Sequence, residues 1–345
     1  MFDMSLISIA LSFTLILSFI CVIWFMSFFP FQKSFETRQI TLPPMQNGIN
    51  SPKVIILAFD DSSKTQFDLA KSILDKYGYK GSFFTVCSYV NEGSQGQGSR
   101  MSWQDINALQ LQGHDIESHT MTHTDLNNKS MQTLEFEIGG SKQCLLSHGI
   151  NSTVFAYPSS TGSRNATVVN VVSKYYNLAR TGDAPLAFLH CNGYKKEDNC
   201  TPFNQNEQVK YENRYDIVNW SDRPKDQGTN QIAIPMNNMQ MLTQFVQEVN
   251  LQSGYNKNGC INAIPIVVYH NFIKDPNHIY QPNESITDAG LFSAEMKYLH
   301  DNGFMVLKMS NLDFNPFTNY LFLKGPIIEY TKEQILPVNT FLKNC

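Results

Sequence analysis

Charge is scarce in this chain. Only 16% of its 345 residues are Asp, Glu, Lys or Arg, the net charge is -4 and the pI is near 6.1. There is no long basic block, so the cationic track needed to follow a phosphate backbone is missing and no nucleic acid partner is expected. No internal repeat or low-complexity tract occurs, which sets aside repeat architectures. Charges are absent altogether from residues 6–29, LISIALSFTLILSFICVIWFMSFF. As a helix this run would be roughly 36 Å long, enough to cross a bilayer. The small-x-small cleavage site of a secretory signal is also missing, so the run reads as a retained transmembrane anchor behind a short tail. Lys33 and Arg38 follow it, and only Asp3 and the terminal amine precede it. That bias alone would put the rest of the chain in the cytoplasm, in conflict with the substrate argued below, and orientation stays open.

What is present begins with seven cysteines, many for a reduced compartment. Cys191 and Cys200 lie in a polar, aperiodic stretch where a disulfide could staple a loop, which favours an exterior location. Cys21 is inside the apolar run, and Cys87 ends an apolar strand and reads as a buried thiol. Glycosylation sequons start at Asn128, Asn151, Asn165, Asn199, Asn219 and Asn283. A chain this rich in Asn should yield roughly four or five by chance, so they carry no argument.

Residues 30–52, with four prolines among polar residues, read as a linker, and a folded domain is expected over 53–310. VIILAF (54–59) has strand length, and helical spacing follows from Phe67 to Tyr77 until Gly78. GSFFTV (81–86), the stretch around Ile116, TVFAY (153–157), NLAR (177–180) and PIVVYH (265–270) repeat the strand signal, with helical segments between them. Such alternation predicts parallel strands with helices outside. Residues 183–228 break the rhythm and are expected to be a rim insertion, and 311–345 a C-terminal extension.

The first strand ends in Asp60-Asp61, where apolar residues stop, and the carboxyl ends of strands carry the chemistry of such folds. The plainer reading is a turn or helix cap, for which Asp is suited. His119 and His123 are spaced H-x-x-x-H, and in a helical turn both imidazoles would share one side and could bind one divalent ion. Alone, such a pair is more often surface or core. With a carboxylate it completes three ligands and leaves an open position, the pattern of a catalytic metal site. His270 follows an apolar strand, where a buried histidine satisfied by backbone is the plainer reading and a proton donor to a leaving amine the functional one.

AFDD (58–61), GHDIESHTMTHTDL (113–126) and VVYH (267–270), in this order, resemble the polysaccharide deacetylase (NodB-homology) family over roughly residues 53–310. The resemblance implies an α/β fold, a distorted (β/α)7 barrel, with Asp60 as base and Asp61, His119 and His123 as metal ligands. His114 is then structural. The family's R-x-P-Y motif is replaced by FAYPSS (155–160), with Ala156 in the place of the Arg and Ser159 in that of the Tyr, similar to the poly-N-acetylglucosamine deacetylase branch. The backbone N–H of Ser159 would still serve an oxyanion, Tyr157 would line the sugar site, and RYDIVNW (214–220) offers Asp216 and Trp220 as further substrate contacts. His270 matches the last motif. Arg180, ending NLAR, is the candidate to replace the missing arginine beside Asp60; the plainer reading is a solvent-facing or loop-bracing side chain.

The expected function is metal-dependent removal of N-acetyl groups from amino sugars of an extracellular polysaccharide. Zn²⁺ is the first choice of ion, with Co²⁺, Ni²⁺ or Fe²⁺ fitting the same ligands. The alternatives are a deacylase of a small N-acylated metabolite and a non-catalytic carbohydrate-binding barrel.

Overall fold

The computed structural model describes residues 52–91, 99–182, 184–189, 213–225, 234–257, 259–282, 284–316 and 320–324. The apolar run 6–29, the linker up to residue 51, Cys191 and Cys200 lie outside these. Among the described residues no helix is long and apolar enough to cross a membrane.

Among the described residues the main sheet has nine strands, eight of which are β1 (Val54–Phe59), β2 (Ser82–Thr85), β3 (Asp115–Ser118), β4 (Val154–Ala156), β5 (Leu178–Gly182), β6 (Leu186–Phe188), β7 (Ile217–Ser221) and β8 (Ala263–Tyr269). Seven of them run parallel in the order β1-β2-β3-β4-β5-β7-β8. β8 pairs back onto β1 from Ile56↔Ile266 to Phe59↔Tyr269, which closes the barrel. Closure removes the unpaired edges that an open sheet of this kind would expose. Short β6 runs antiparallel along β8, and a further strand, Met305–Leu307, joins the first half of β1. The helices expected between strands are present, including Lys71–Tyr77, ended by Gly78 in the left-handed conformation (φ 70°) that glycine adopts at little cost.

Two findings differ from the sequence reading. The interval 183–228, expected as an insertion, supplies β7, which lies between β5 and β8 in the barrel wall. Its signal is weak because polar Asn219 interrupts the apolar side of the strand. Cys87 is not a free thiol: it is disulfide-bonded to Cys144, 57 residues on, in the helix Gly140–Ser147. Only the fold brings that helix over the end of β2. Cys260 is disulfide-bonded as well.

Side-chain alternation along the strands sorts the wall into two faces. Val54, Ile56, Ala58, Phe84, Val154, Ala156, Leu178, Ile217, Ile264, Ile266 and Val268 share one cluster, the barrel interior. Ile55, Leu57, Phe59, Phe83, Trp220, Val267 and Tyr269 pack outward against the helices. Phe59 stacks on Phe83 with ring centroids 4.6 Å apart, fixing β1 beside β2 on that outer face.

Candidate active site

Extending each inward series by one step of two reaches Asp60 on β1 (54, 56, 58, 60), Arg180 on β5 (178, 180), Asn219 on β7 (217, 219) and His270 on β8 (264, 266, 268, 270). The ladder carries these ends into register. The Asp60 N–H donates to the Tyr269 carbonyl at 2.9 Å, and the His119 N–H to that of Thr85 at 2.9 Å. The inner faces of the strands thus deliver polar groups to the carboxyl-terminal mouth of the barrel.

Asp61, His119 and His123 meet there. Their ligand atoms all lie within 4.8 Å of one another, and Asp61 Oδ1 is 3.6 Å from His119 Nε2 and 3.3 Å from His123 Nε2. His119 Nδ1 lies 2.9 Å from the Ala156 carbonyl, which can only accept, so Nδ1 carries the proton and Nε2 presents a lone pair. Burial lowers the proton affinity of His119 despite the nearby carboxylates, which keeps that lone pair open. Asp61 Oδ1 is buried without a hydrogen-bond partner. Three electron-pair donors converging on one point, one of them an orphaned carboxylate oxygen, fit a divalent cation with a His₂Asp set.

The backbone is bent for this purpose. Asp61, Ser62, Thr120, His123, Ser159 and Ser160 all have φ between 51° and 72°, which non-glycine residues rarely adopt. The expected helical turn at 119–123 is therefore replaced by a loop: left-handed residues at 120 and 123 swing both imidazoles to the same point. The His123 N–H donates to Thr120 Oγ1 (2.9 Å), and the Thr122 N–H and hydroxyl donate to buried Glu137 (2.9 and 2.5 Å). Thr120 and Thr122 are thus braces of the loop.

Asp60 faces a different set. Arg180 donates through Nη2 to its Oδ1, while its Oδ2 lies 3.7 Å from His119 Nε2. Burial pushes its carboxyl up, but the charge of Arg180 and its hydrogen bond outweigh this and leave Asp60 below the usual carboxylate range, ionised. Arg180 is 3% exposed, so the solvent-facing reading does not describe it. Its position has a simple cause: Ala156 and Arg180 are register partners on β4 and β5, and the small side chain at 156 leaves the space open. Gln66, which the sequence reading misses, donates to the Asp60 carbonyl and, at 2.8 Å, to that of His270, tying the two strand ends together. Arg100, also missed, donates to the Asp61 carbonyl at 2.9 Å. Both belong to segments whose only sequence signal is polarity.

His114 is buried and neutral, pushed down to about 4 by burial, and accepts from the Gly81 N–H, a structural role. Ser159 is exposed on the turn after β4. Of the expected sugar contacts, Tyr157 and Trp220 are buried in apolar packing and Asp216 borders a cleft. Tyr157 is buried with Leu126, Phe155 and Val168, and Trp220 packs on Phe245 outside the wall (6.5 Å). Asp216 pairs with Arg164 at 3.7 Å, at a cleft of about 570 Å³ that Ser160, Gly182 and Val218 also line.

Residues 47–177 match the polysaccharide deacetylase family model. Over 126 residues the chain is 28% identical to a gellan lyase of Bacillus sp., covering 36% of this chain and 4% of that protein. Over 123 residues it is 26% identical to YxkH of Bacillus subtilis, which carries the name putative polysaccharide deacetylase, covering 35% of this chain and 42% of that one. The chain thus spans less than half the length of either relative. Among solved structures, Streptococcus pyogenes deacetylase PplD in complex with acetate aligns at 26% identity and a TM-score of 0.37, over 41% of this chain and 62% of that one. A family 4 carbohydrate esterase from Streptomyces lividans aligns at 12% identity and a TM-score of 0.45, over 80% and 100%. Residues 47–177 of this chain are thus similar to the polysaccharide deacetylase family.

Proposed function

We propose that the chain is a metal-dependent hydrolase that removes N-acetyl groups from the amino sugars of an extracellular polysaccharide. The observation that carries this reading is the division of labour between adjacent carboxylates: Asp61 faces the Nε2 atoms of two imidazoles, and Asp60 is held ionised by an arginine. Asp61, His119 and His123 would hold the ion. When bound, a divalent transition ion, Zn²⁺ by first choice, supplies Lewis acidity for the acyl carbonyl and acidifies water. Asp60 Oδ2, the oxygen not bonded to Arg180, takes the proton of the water that adds to the carbonyl carbon. His270, whose strand end Gln66 ties to that of Asp60, gives a proton to the nitrogen as the C–N bond breaks, leaving acetate and a free amine. The Ser159 N–H is assigned to the acyl oxygen.

Residues 6–29 are assigned as the anchor and the barrel to the outside of the cell; the Cys87–Cys144 disulfide supports an oxidising compartment. The test is acetate release by the full chain from N-acetylated glycans of increasing length, with Zn²⁺ and after chelation. Metal-dependent release that rises from monomer to polymer is expected. Release from monomers alone would favour a small N-acylated substrate, and none from any glycan would overturn the reading.

A further inference from the structure

Arg180 is held from two sides. Nη2 donates to Asp60 Oδ1, Nη1 donates to Asn219 Oδ1 at 2.9 Å, and the guanidinium carbon lies 3.9 Å over the Phe84 ring. Both Asn219 and Arg180 are 3% exposed, and Arg180 Nε has no partner. The two Nη bonds therefore fix the in-plane rotation of the guanidinium, and the ring fixes its tilt. We infer that Asn219 is a positioning residue for hydrolysis: it aims the Arg180 guanidinium at Asp60, and so replaces the orientation that an arginine on β4 would have had from its own strand.

The type of residue supports this. A carboxylate at 219 would form a second ion pair and compete with Asp60 for the guanidinium charge. A carboxamide accepts the same hydrogen bond and leaves the charge to Asp60. An apolar residue would leave Nη1 buried and unpaired, free to rotate Nη2 away. Strand register brings Asn219 within reach: β7 sets Ile217 opposite Arg180 and Asn219 opposite Gly182, so the carboxamide meets the guanidinium along the diagonal. Burial inside the wall also removes Asn219 from use as a glycosylation acceptor, although it begins a sequon.

The inference rests on the proposed hydrolysis, so its test has one readout with turnover and one without. With an N-acetylglucosamine pentamer and Zn²⁺, Asn219→Ala should lower kcat on the order of tenfold with KM within about twofold, the scale of one buried hydrogen bond to a charged group. In the Arg180→Met background the same substitution should change kcat less than about twofold, because its only route is through the arginine. Effects that multiply in full, or a single variant within twofold of wild type, would overturn it. Independently, full chain labelled with ¹⁵N-arginine should give separate, slowly exchanging Nη signals for Arg180 in the wild type and averaged ones in Asn219→Ala. Signals that stay separate in the variant would overturn the positioning role even if no turnover were found. Averaging with an inactive wild type would leave the positioning intact and remove the hydrolytic reading.

Discussion

Asp60→Asn should abolish most turnover, lowering kcat by at least about 10²-fold and up to about 10⁴-fold, the range for removing a general base. The carboxamide has nearly the shape of the carboxylate, so the β1 end, its ladder bond to Tyr269 and the packing around Phe84 should survive. What is lost is the acceptor for the proton of water and the counter-charge of Arg180, which among the described residues is buried with no other carboxylate in hydrogen-bond contact. Leaving that cation unpaired costs stability as well, and the unfolding midpoint should fall. Acetate release and urea unfolding measured together separate the two effects. A turnover within fivefold of wild type would remove Asp60 from the proton-transfer role.

The second large effect concerns the Cys87–Cys144 disulfide. Cys87 lies on the turn after β2, whose N–H groups hold the histidine loop from below: Cys87 donates to the Thr120 carbonyl (3.2 Å) and Ser88 to that of Met121 (2.8 Å). From the other side Met121 donates to the Glu137 carbonyl at 3.1 Å, and Glu137 leads into the helix that carries Cys144. The covalent link thus joins the two supports that clamp His119 and His123. A cross-link over 57 residues is worth about 4 kcal/mol in chain entropy. Replacing both cysteines by alanine should lower unfolding free energy by about that amount and weaken Zn²⁺ binding, measured by denaturant titration and competition with a chelator. A double variant as stable as wild type, or one that binds Zn²⁺ equally well, would show that the clamp is held by hydrogen bonds alone.

Much of this site can be read in the sequence, and parity explains which parts cannot. Asp60, Asp61, His119, His123 and His270 stand at ends of recognisable strands, so their type and place are visible. Arg180 is visible for the same reason, since NLAR ends an apolar stretch. Asn219 has the same inward parity, but its strand falls in a segment without periodic signal, and it stands out only as the start of a sequon. Tyr157 and Trp220 draw the eye as aromatics near motifs, although one residue of offset from Ala156 and Asn219 sends them to the outer face. The loop geometry of the histidine pair is not legible, because positive φ at Thr120 and His123 is imposed by bonds to Cys87, Ser88 and Glu137, residues remote in sequence. The partner of Cys87 is hidden for the same reason.

The most direct test of the account is the metal content of the full chain after dialysis against Zn²⁺, compared for wild type, Asp60→Asn, Asp61→Ala and His119→Ala. The account predicts one ion per chain in wild type and in Asp60→Asn, and loss of the ion in the other two. Equal loss in Asp60→Asn and Asp61→Ala, or an ion retained by both Asp61→Ala and His119→Ala, would contradict the division between base and ligand on which it rests.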